Sequence, residues 1–467
     1  MKTMKKIIFF LSIFFFAFEI TNAQLTTLLS FNINNGAGPF GSLYSDGTFL
    51  YGTTTDGGTN NKGNIFKVKT DGSGFDTLLN FNLTNGSTPF GTLISDGVFL
   101  YGTTALGGTN DIGTVFKIKP DGTGFTKLKD FNGPNGSNPY SGLYYDGMFL
   151  YGTTFSGGTN YKGSIFKIKP DGTNDTTLFS FNSVNGSGPI SSLISDGTYL
   201  YGVTRDGGVN DSGTIFKIKP DGSGFAKLMD FNGINGSAPW ASLVYDGSFL
   251  YGTTITGGSK YLGTIFKIKP DGTNFDTLLS FNGSMGANPN GSLFYDGTFL
   301  YGLTNGNHQI NFICFYGNCG TMFKIKPDGT SFTKLADFTG SNGEWPNGSL
   351  ISDGSFLYGV TGNGGTFSTT ACGAGCGTVF KYNYTAVGIE QLDGSKNKLT
   401  IFPNPANDLL MINSSSEFGT ITITNSLGET ILQLKSKNKQ EQIDISKLSP
   451  GIYILQTQNE RVKFVKE

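Results

Sequence analysis

The chain has 467 residues, with 33 Lys and Arg set against 34 Asp and Glu, a net charge of −1 that excludes a nucleic-acid partner, which needs a basic face. Charged residues make up 14% of it, against about 25% in an average domain, while Gly numbers 70 and aromatics reach 14%. Disorder is excluded by that supply of aromatics, and many short strands joined by Gly-rich turns are expected.

At the N-terminus, Lys2, Lys5 and Lys6 precede the apolar run Ile7 to Phe18, and Thr21-Asn22-Ala23 fits a cleavage site before Gln24. The pattern predicts a secretory signal peptide over 1–23, because the run is too short for a membrane span.

From 24 to 384 the sequence repeats with a period near 50 residues. The copy at 91–140 holds four strand-like runs, TLIS, VFLYGTT, TVFKIK and GFTKLKDF. Asp-Gly turns the first pair and Pro-Asp-Gly the last pair, and two longer connections complete the unit. Four antiparallel strands per unit is the period of a propeller blade. The opening run LTTLLSFN (25–32) matches a fourth strand and the closing run GTVFKYNY (377–384) a third, so the N-terminal strand is expected to close the last of seven blades. The fold class predicted is all-β, a seven-bladed β-propeller.

Within each unit the repeated Tyr-Gly step (51, 101, 151, 201, 251, 301, 358) is expected to pack blade on blade, the Gly giving a shallow spot opposite a Tyr. The paired Asp-Gly turns, from Asp46 and Asp71 onward, are explained by turn chemistry without a metal. Lys67 and its counterparts at 117, 167, 217, 267, 324 and 381 are expected to solvate the third strand.

The unit SDGTFLYGTT…GGTN…GTIFKIKPDGT resembles the Gloeobacter/Verrucomicrobia-type tandem repeat, a family of secreted surface proteins, over about 27–384. The resemblance brings no catalytic residues with it.

After a linker, 385–397, the segment 398–467 shows about seven strand-like runs, which predict a small Ig-like β-sandwich. It resembles the C-terminal sorting domain of the Bacteroidetes type IX secretion system in Val387-Gly388-Ile389, Pro403-Asn404-Pro405-Ala406, Gly428, Leu448–Tyr453 and the Lys-ended last strand. That resemblance implies an extracellular or outer-membrane-surface protein exported through the periplasm. The type IX machinery would be its partner through 398–467, with removal of that domain and attachment to surface lipopolysaccharide or release.

Catalysis is not expected. The single histidine, His308, completes no triad, and no phosphate or dinucleotide fingerprint precedes a helix. Departures from the repeat point instead to binding, on the face where both long connections emerge. Trp240, Trp345, Tyr161 and Tyr261 would offer stacking surfaces, and Arg205, Lys260 and His308 polar contacts, to a glycan or a surface-protein ligand. A structural surface coat, or a polysaccharide hydrolase or lyase, is the alternative. All four cysteines lie in two matching insertions, and local disulfides Cys314–Cys319 and Cys372–Cys376 are expected in an exported chain. A four-thiolate zinc site is the competing arrangement, and no metal or cofactor is predicted.

Overall fold

The computed structural model describes residues 25–306, 319–366, 372, 375–384, 400–402, 409–413, 417–425, 430–449, 451–457 and 461–466. The signal-peptide segment, the linker, His308 and Cys314 lie outside the described residues. The chain divides into two compact units, Met1–Val387 and Gly388–Glu467.

In the first unit each repeat folds into one antiparallel sheet, and the described residues form seven of them. In the second, Ile94–Ser95, Leu100–Thr104, Thr114–Ile118 and Thr126–Asp130 pair in chain order. The innermost strand is two residues long in four sheets, and in two others it is broken into two segments. The last sheet is built from Glu344–Ser352, Phe356–Asn363 and Thr378–Asn383, and its outermost strand is Leu25–Ser30 from the other end of the unit. Leu25 pairs with Tyr382 and Ser30 with Thr378.

Apolar side chains alternate with polar ones along these strands and bury between adjacent sheets. Tyr51, Ile65, Leu78 and Phe81 of the first sheet form one cluster with Leu93, Leu100, Phe116 and Ile118 of the second. At its centre Phe81 and Phe116 meet edge to face, 5.4 Å apart. The same pair recurs at every boundary, as 131/166, 181/216, 231/266, 281/323 and 338/380, and as Phe31 against Phe66 where the last sheet meets the first. The ring is closed.

Hydroxyls fasten it at the axis. The amides of Ser192, Ser242 and Ser292 donate to the hydroxyls of Ser242, Ser292 and Ser349, and those of Ser349 and Ser42 to the hydroxyls of Ser42 and Thr92. Gly142 stands at the one position of this series without a hydroxyl.

Two expectations need correction. A Cβ at Gly52 would meet Phe66 Cζ at 2.5 Å and Leu43 Cδ2 at 3.0 Å. The glycine therefore makes room for the ring across its own sheet, where Gly52 pairs with Phe66, and not for a tyrosine of the next blade. The lysines do more than solvate a strand. Lys67, Lys117, Lys167, Lys217 and Lys267 each donate to the carbonyl of Pro120, Pro170, Pro220, Pro270 or Pro327 in the following repeat. Their ammonium groups lie over the rings of Phe49, Phe99, Phe149, Tyr199 and Phe249.

The second unit packs Thr400–Phe402, Leu409–Asn413 and Gln440–Asp444 as one sheet and Thr430–Ser436, Gly419–Asn425, Gly451–Gln456 and Arg461–Lys466 as another. Leu410, Ile412, Ile421, Ile423, Leu455 and Phe464 are among the side chains buried in its core.

Candidate functional site

Two positions per repeat vary while their surroundings repeat. One follows the proline that leads into the innermost strand: Phe40, Phe90, Tyr140, Ile190, Trp240, Asn290 and Asn347. The other follows the Tyr-Gly-x-Thr run: Thr55, Ala105, Phe155, Arg205, Ile255, Asn305 and Gly362.

Backbone geometry brings both positions to one mouth of the ring. The residue before each proline is left-handed, including Thr88, Ala238 and Trp345 at φ 56°, 54° and 55°. Such conformations are costly without Gly or Asn and persist only where neighbours hold them. Here Ala238 N donates to Ser212 O of the preceding repeat, and Ala238 O accepts from Ile255 N. Asn138 and Asn288 add a side-chain bond, giving Nδ2 to the carbonyls of Ala105 and Ile255. The kink turns the proline and the residue after it toward the axis.

A cavity of about 660 Å³ opens there. Its apolar wall is a chain of rings. Phe40 meets Phe90 at 4.9 Å, Phe90 meets Tyr140 at 5.0 Å, and Tyr140 meets Phe155 at 5.6 Å. The Arg205 guanidinium lies over Phe155 at 4.7 Å and within 6.0 Å of Trp240. Ile190, Ile255 and Tyr261 extend this wall.

The opposite wall is polar. Asn290 and Asn305 both donate Nδ2 to Asn347 Oδ1, each at 3.1 Å. That leaves the buried Oδ1 atoms of Asn290 and Asn305 without a protein partner. Among the described residues lining the cavity Arg205 is the one that is charged, and its Nε and Nη2 donate to Asp206 Oδ2 at 2.9 and 2.6 Å. Beneath, the axis narrows to a channel of about 70 Å³ edged by Ser42, Thr92, Ser192, Ser242, Ser292 and Ser349.

Of the residues singled out by sequence, the structure brings Trp240, Arg205 and Tyr261 together. Tyr161 is 77% exposed on the equivalent turn two repeats earlier and does not line the cavity, nor does exposed Lys260. Trp345 is half-buried in its strand outside the lining, and His308 lies outside the described residues. Phe155, Ile255 and Asn305 were missed, although the signal was present in a position that changes from repeat to repeat after an invariant-looking run. Cys372 and Cys376 form a disulfide with Cα atoms 5.2 Å apart. Cys319 is disulfide-bonded as well, its predicted partner Cys314 lying outside the described residues.

The repeated turn acids are occupied by the fold. Asp46 Oδ1 accepts from the amides of Thr48 and Phe49, and Oδ2 from the Tyr51 hydroxyl. Among the described residues no three His, Cys, Asp or Glu side chains converge as metal ligands.

A family model for the Gloeobacter/Verrucomicrobia repeat matches residues 14–194 and 145–315, which together cover more than half of the chain. A model for the secretion system C-terminal sorting domain matches residues 400–467. No curated protein sequence matches. Among solved structures, oligogalacturonate lyase from Vibrio parahaemolyticus is similar at 12% identity and a TM-score of 0.51, over 78% of this chain and 94% of that one. PorZ, a surface component of the type IX secretion system of Porphyromonas gingivalis, is similar at 15% identity and a TM-score of 0.45, over 92% of this chain. The match takes in only 59% of the length of PorZ. At such identities the likeness is one of fold.

Proposed function

We propose a binding function for this chain, which belongs to the Gloeobacter/Verrucomicrobia repeat family and ends in a type IX secretion C-terminal sorting domain at 400–467. The sorting domain indicates export to the cell surface or the extracellular space and interaction with the type IX machinery. On our reading, residues 1–23 direct the chain to the periplasm, 398–467 are removed on crossing the outer membrane, and the propeller is held on surface lipopolysaccharide.

The displayed propeller is a non-catalytic module that binds a glycan in the axial cavity. One observation carries this: an arc of rings from Phe40 to Trp240 faces an asparagine wall across a single cavity. Sugar rings present just such a pair of faces, with apolar C–H surfaces that stack on aromatics and hydroxyls that need partners. The described residues that line the cavity are aromatic, aliphatic, hydroxyl and carboxamide side chains with one guanidinium, a set suited to stacking and hydrogen bonding.

The test is a glycan array probed with the full chain, with Trp240→Ala beside it and thermal melting of both. Binding that is lost in the variant at an unchanged Tm supports the reading. Equal binding by the two, or reducing-sugar release from a bound polysaccharide, sinks it.

A further inference from the structure

Among the described residues, the large apolar side chains more than 70% exposed are Tyr161, Val184, Val209, Ile234 and Tyr261. All five stand on consecutive long connections of the third, fourth and fifth repeats. Hydrogen bonds join each of these connections to the next. Asn160 Nδ2 donates to Phe181 O, Gly208 N to Ser183 O, Asn210 Nδ2 to Phe231 O and Gly258 N to Gly233 O. The five side chains therefore follow one another along one rim, and at Tyr261 that rim runs into the wall of the axial cavity.

The repeat itself does not call for such residues. In the place of Val184 and Ile234 the other repeats have Asn34, Thr84, Pro134, Ser284 and Ser341, and in that of Val209 Thr59, Thr109, Thr159 and Ser259. The tyrosines are costlier still. Asn61, Asp111 and Asp211 hold the same left-handed place and accept the amides of Gly57, Gly107 and Gly207 on Oδ1. Tyr161 and Tyr261, at φ 56° and 59°, adopt that conformation with a bulky side chain that supplies no such acceptor. Backbone strain that holds a ring out in solvent points to a ligand.

Polar groups alternate with the apolar ones. Exposed Asn182 and Asn232 use Oδ1 on backbone amides of their own turns, and their Nδ2 groups have no acceptor among the described residues. A file of single apolar contacts, one to a turn and separated by amides, matches successive sugar units, each with a C–H face and hydroxyls. A protein interface would need a contiguous apolar core instead.

On the premise that the axial cavity binds a saccharide, we infer that the ligand is a chain whose units beyond the cavity lie along this rim, from Tyr261 past Ile234, Val209 and Val184 to Tyr161.

Titration calorimetry on the full chain tests this, with gluco-, manno- and galacto-oligosaccharides of two and of eight units. The variants are borrowed from other repeats. Tyr161→Asn copies Asn61 and gives Gly157 N an acceptor, and Ile234→Thr copies Thr84. Neither residue lines the cavity. An octasaccharide should bind about tenfold tighter than its disaccharide, and each variant should lose most of that gain while holding the disaccharide as wild type does. Tyr161→Asn should melt at or above the wild-type Tm, which separates its loss of binding from a loss of fold. Equal affinity for the two lengths, or a gain that both variants keep, would overturn the inference and leave the saccharide reading standing. Wild-type dimers in sedimentation that Ile234→Thr dissolves, with no gain from chain length, would overturn it by making the rim a contact between copies of the chain. No binding of any saccharide would remove both the inference and its premise.

Discussion

Lys129 Nζ lies 2.5 Å from Asp175 Oδ1 across the boundary between the second and third sheets. The lysine side chain is 2% exposed and that of the aspartate 34%, and the ammonium sits over the rings of Phe131 and Phe166. Elsewhere in the ring the same two places are apolar. Phe179 and Phe225 stack there at 3.8 Å, and Leu79 with Phe125 and Met229 with Phe275 occupy the equivalent positions. One boundary of the ring has thus exchanged an apolar pair for an ion pair, on both sides at once.

Removing one partner leaves the other stranded, so Asp175→Phe alone should destabilise by about 3 kcal/mol, chiefly because a buried ammonium loses its counter-ion. Restoring the apolar pair with Lys129→Leu and Asp175→Phe together should be neutral or stabilising by about 1–4 kcal/mol. Denaturant unfolding of the two singles and the double measures the coupling. A double variant as unstable as the worse single would show that the ion pair is matched to its surroundings in some further way.

The tyrosine–aspartate staple sets the pH range of the fold. For Asp46, burial pushes the carboxyl up, but the bonds from Phe49 N, Thr48 N and the Tyr51 hydroxyl outweigh it and hold it below the usual carboxylate range. Asp96, Asp146, Asp196 and Asp353 are held down likewise. The partner phenols, from Tyr51 to Tyr358, are pushed up, by burial first and by the carboxylate second. A lowered carboxylate contributes stability that is complete above its unfolded pKa near 4 and lost as pH falls through the folded value. A raised phenol contributes stability that is complete below its unfolded pKa near 10 and lost as pH rises beyond it. These pairs should therefore contribute a constant stabilisation between about pH 5 and 9, and the Tm should fall on both sides of that range. Tyr151→Phe, which strips Asp146 Oδ2 of its donor, should cost about 1 kcal/mol at neutral pH and soften the alkaline fall. An alkaline limb unchanged in that variant would mean that other groups set it.

Closure can be tested at its own seam. Phe31 meets Phe66 at 5.0 Å where the last sheet joins the first, and Phe131 meets Phe166 at 5.3 Å at an ordinary boundary. Both phenylalanines are fully buried, so Phe31→Ala and Phe131→Ala should each cost about 3–5 kcal/mol. A much smaller loss for Phe31→Ala would mean that the seam opens independently of the rest of the ring.

Much of this architecture was legible because seven copies average out the ambiguity of any one strand. The run 25–32 was readable as a fourth strand only by comparison with its six counterparts, and it pairs with Thr378–Asn383. The site was legible in part. Trp240 and Arg205 stood out as departures from a repeat, yet so did Tyr161 and Lys260, which point to solvent. Tyr161 and Tyr261 hold the same place on equivalent turns and are 77% and 71% exposed, and only Tyr261 stands where the cavity reaches that turn, a difference the repeat pattern does not show. The asparagine wall was hidden for another reason. Asn290, Asn305 and Asn347 are each unremarkable alone, and only the packing of the sixth sheet against the seventh brings them close enough for one side-chain carbonyl to fix two amides.

Glu344 carries the last prediction. It stands where the other repeats have Ala37, Ser87, Ser137, Ser187, Ser237 and Ala287. The residue is 8% exposed, its Oε2 has no hydrogen-bond partner, and burial pushes its carboxyl above the usual range. A carboxyl with a raised folded pKa favours the fold while protonated and opposes it once ionised, so its penalty appears as pH climbs from its unfolded value near 4.5 through the folded one. Glu344→Gln keeps the shape without the charge and should raise stability at pH 7, because a neutral amide does not bear the cost of ionising in a buried place. At pH 4 the two proteins should melt together, because the wild-type carboxyl is then neutral as well. Paired melting curves at the two pH values decide it. A glutamine variant less stable at pH 7 would mean that the ionised carboxylate is compensated in the fold, and the raised pKa would then have to be abandoned.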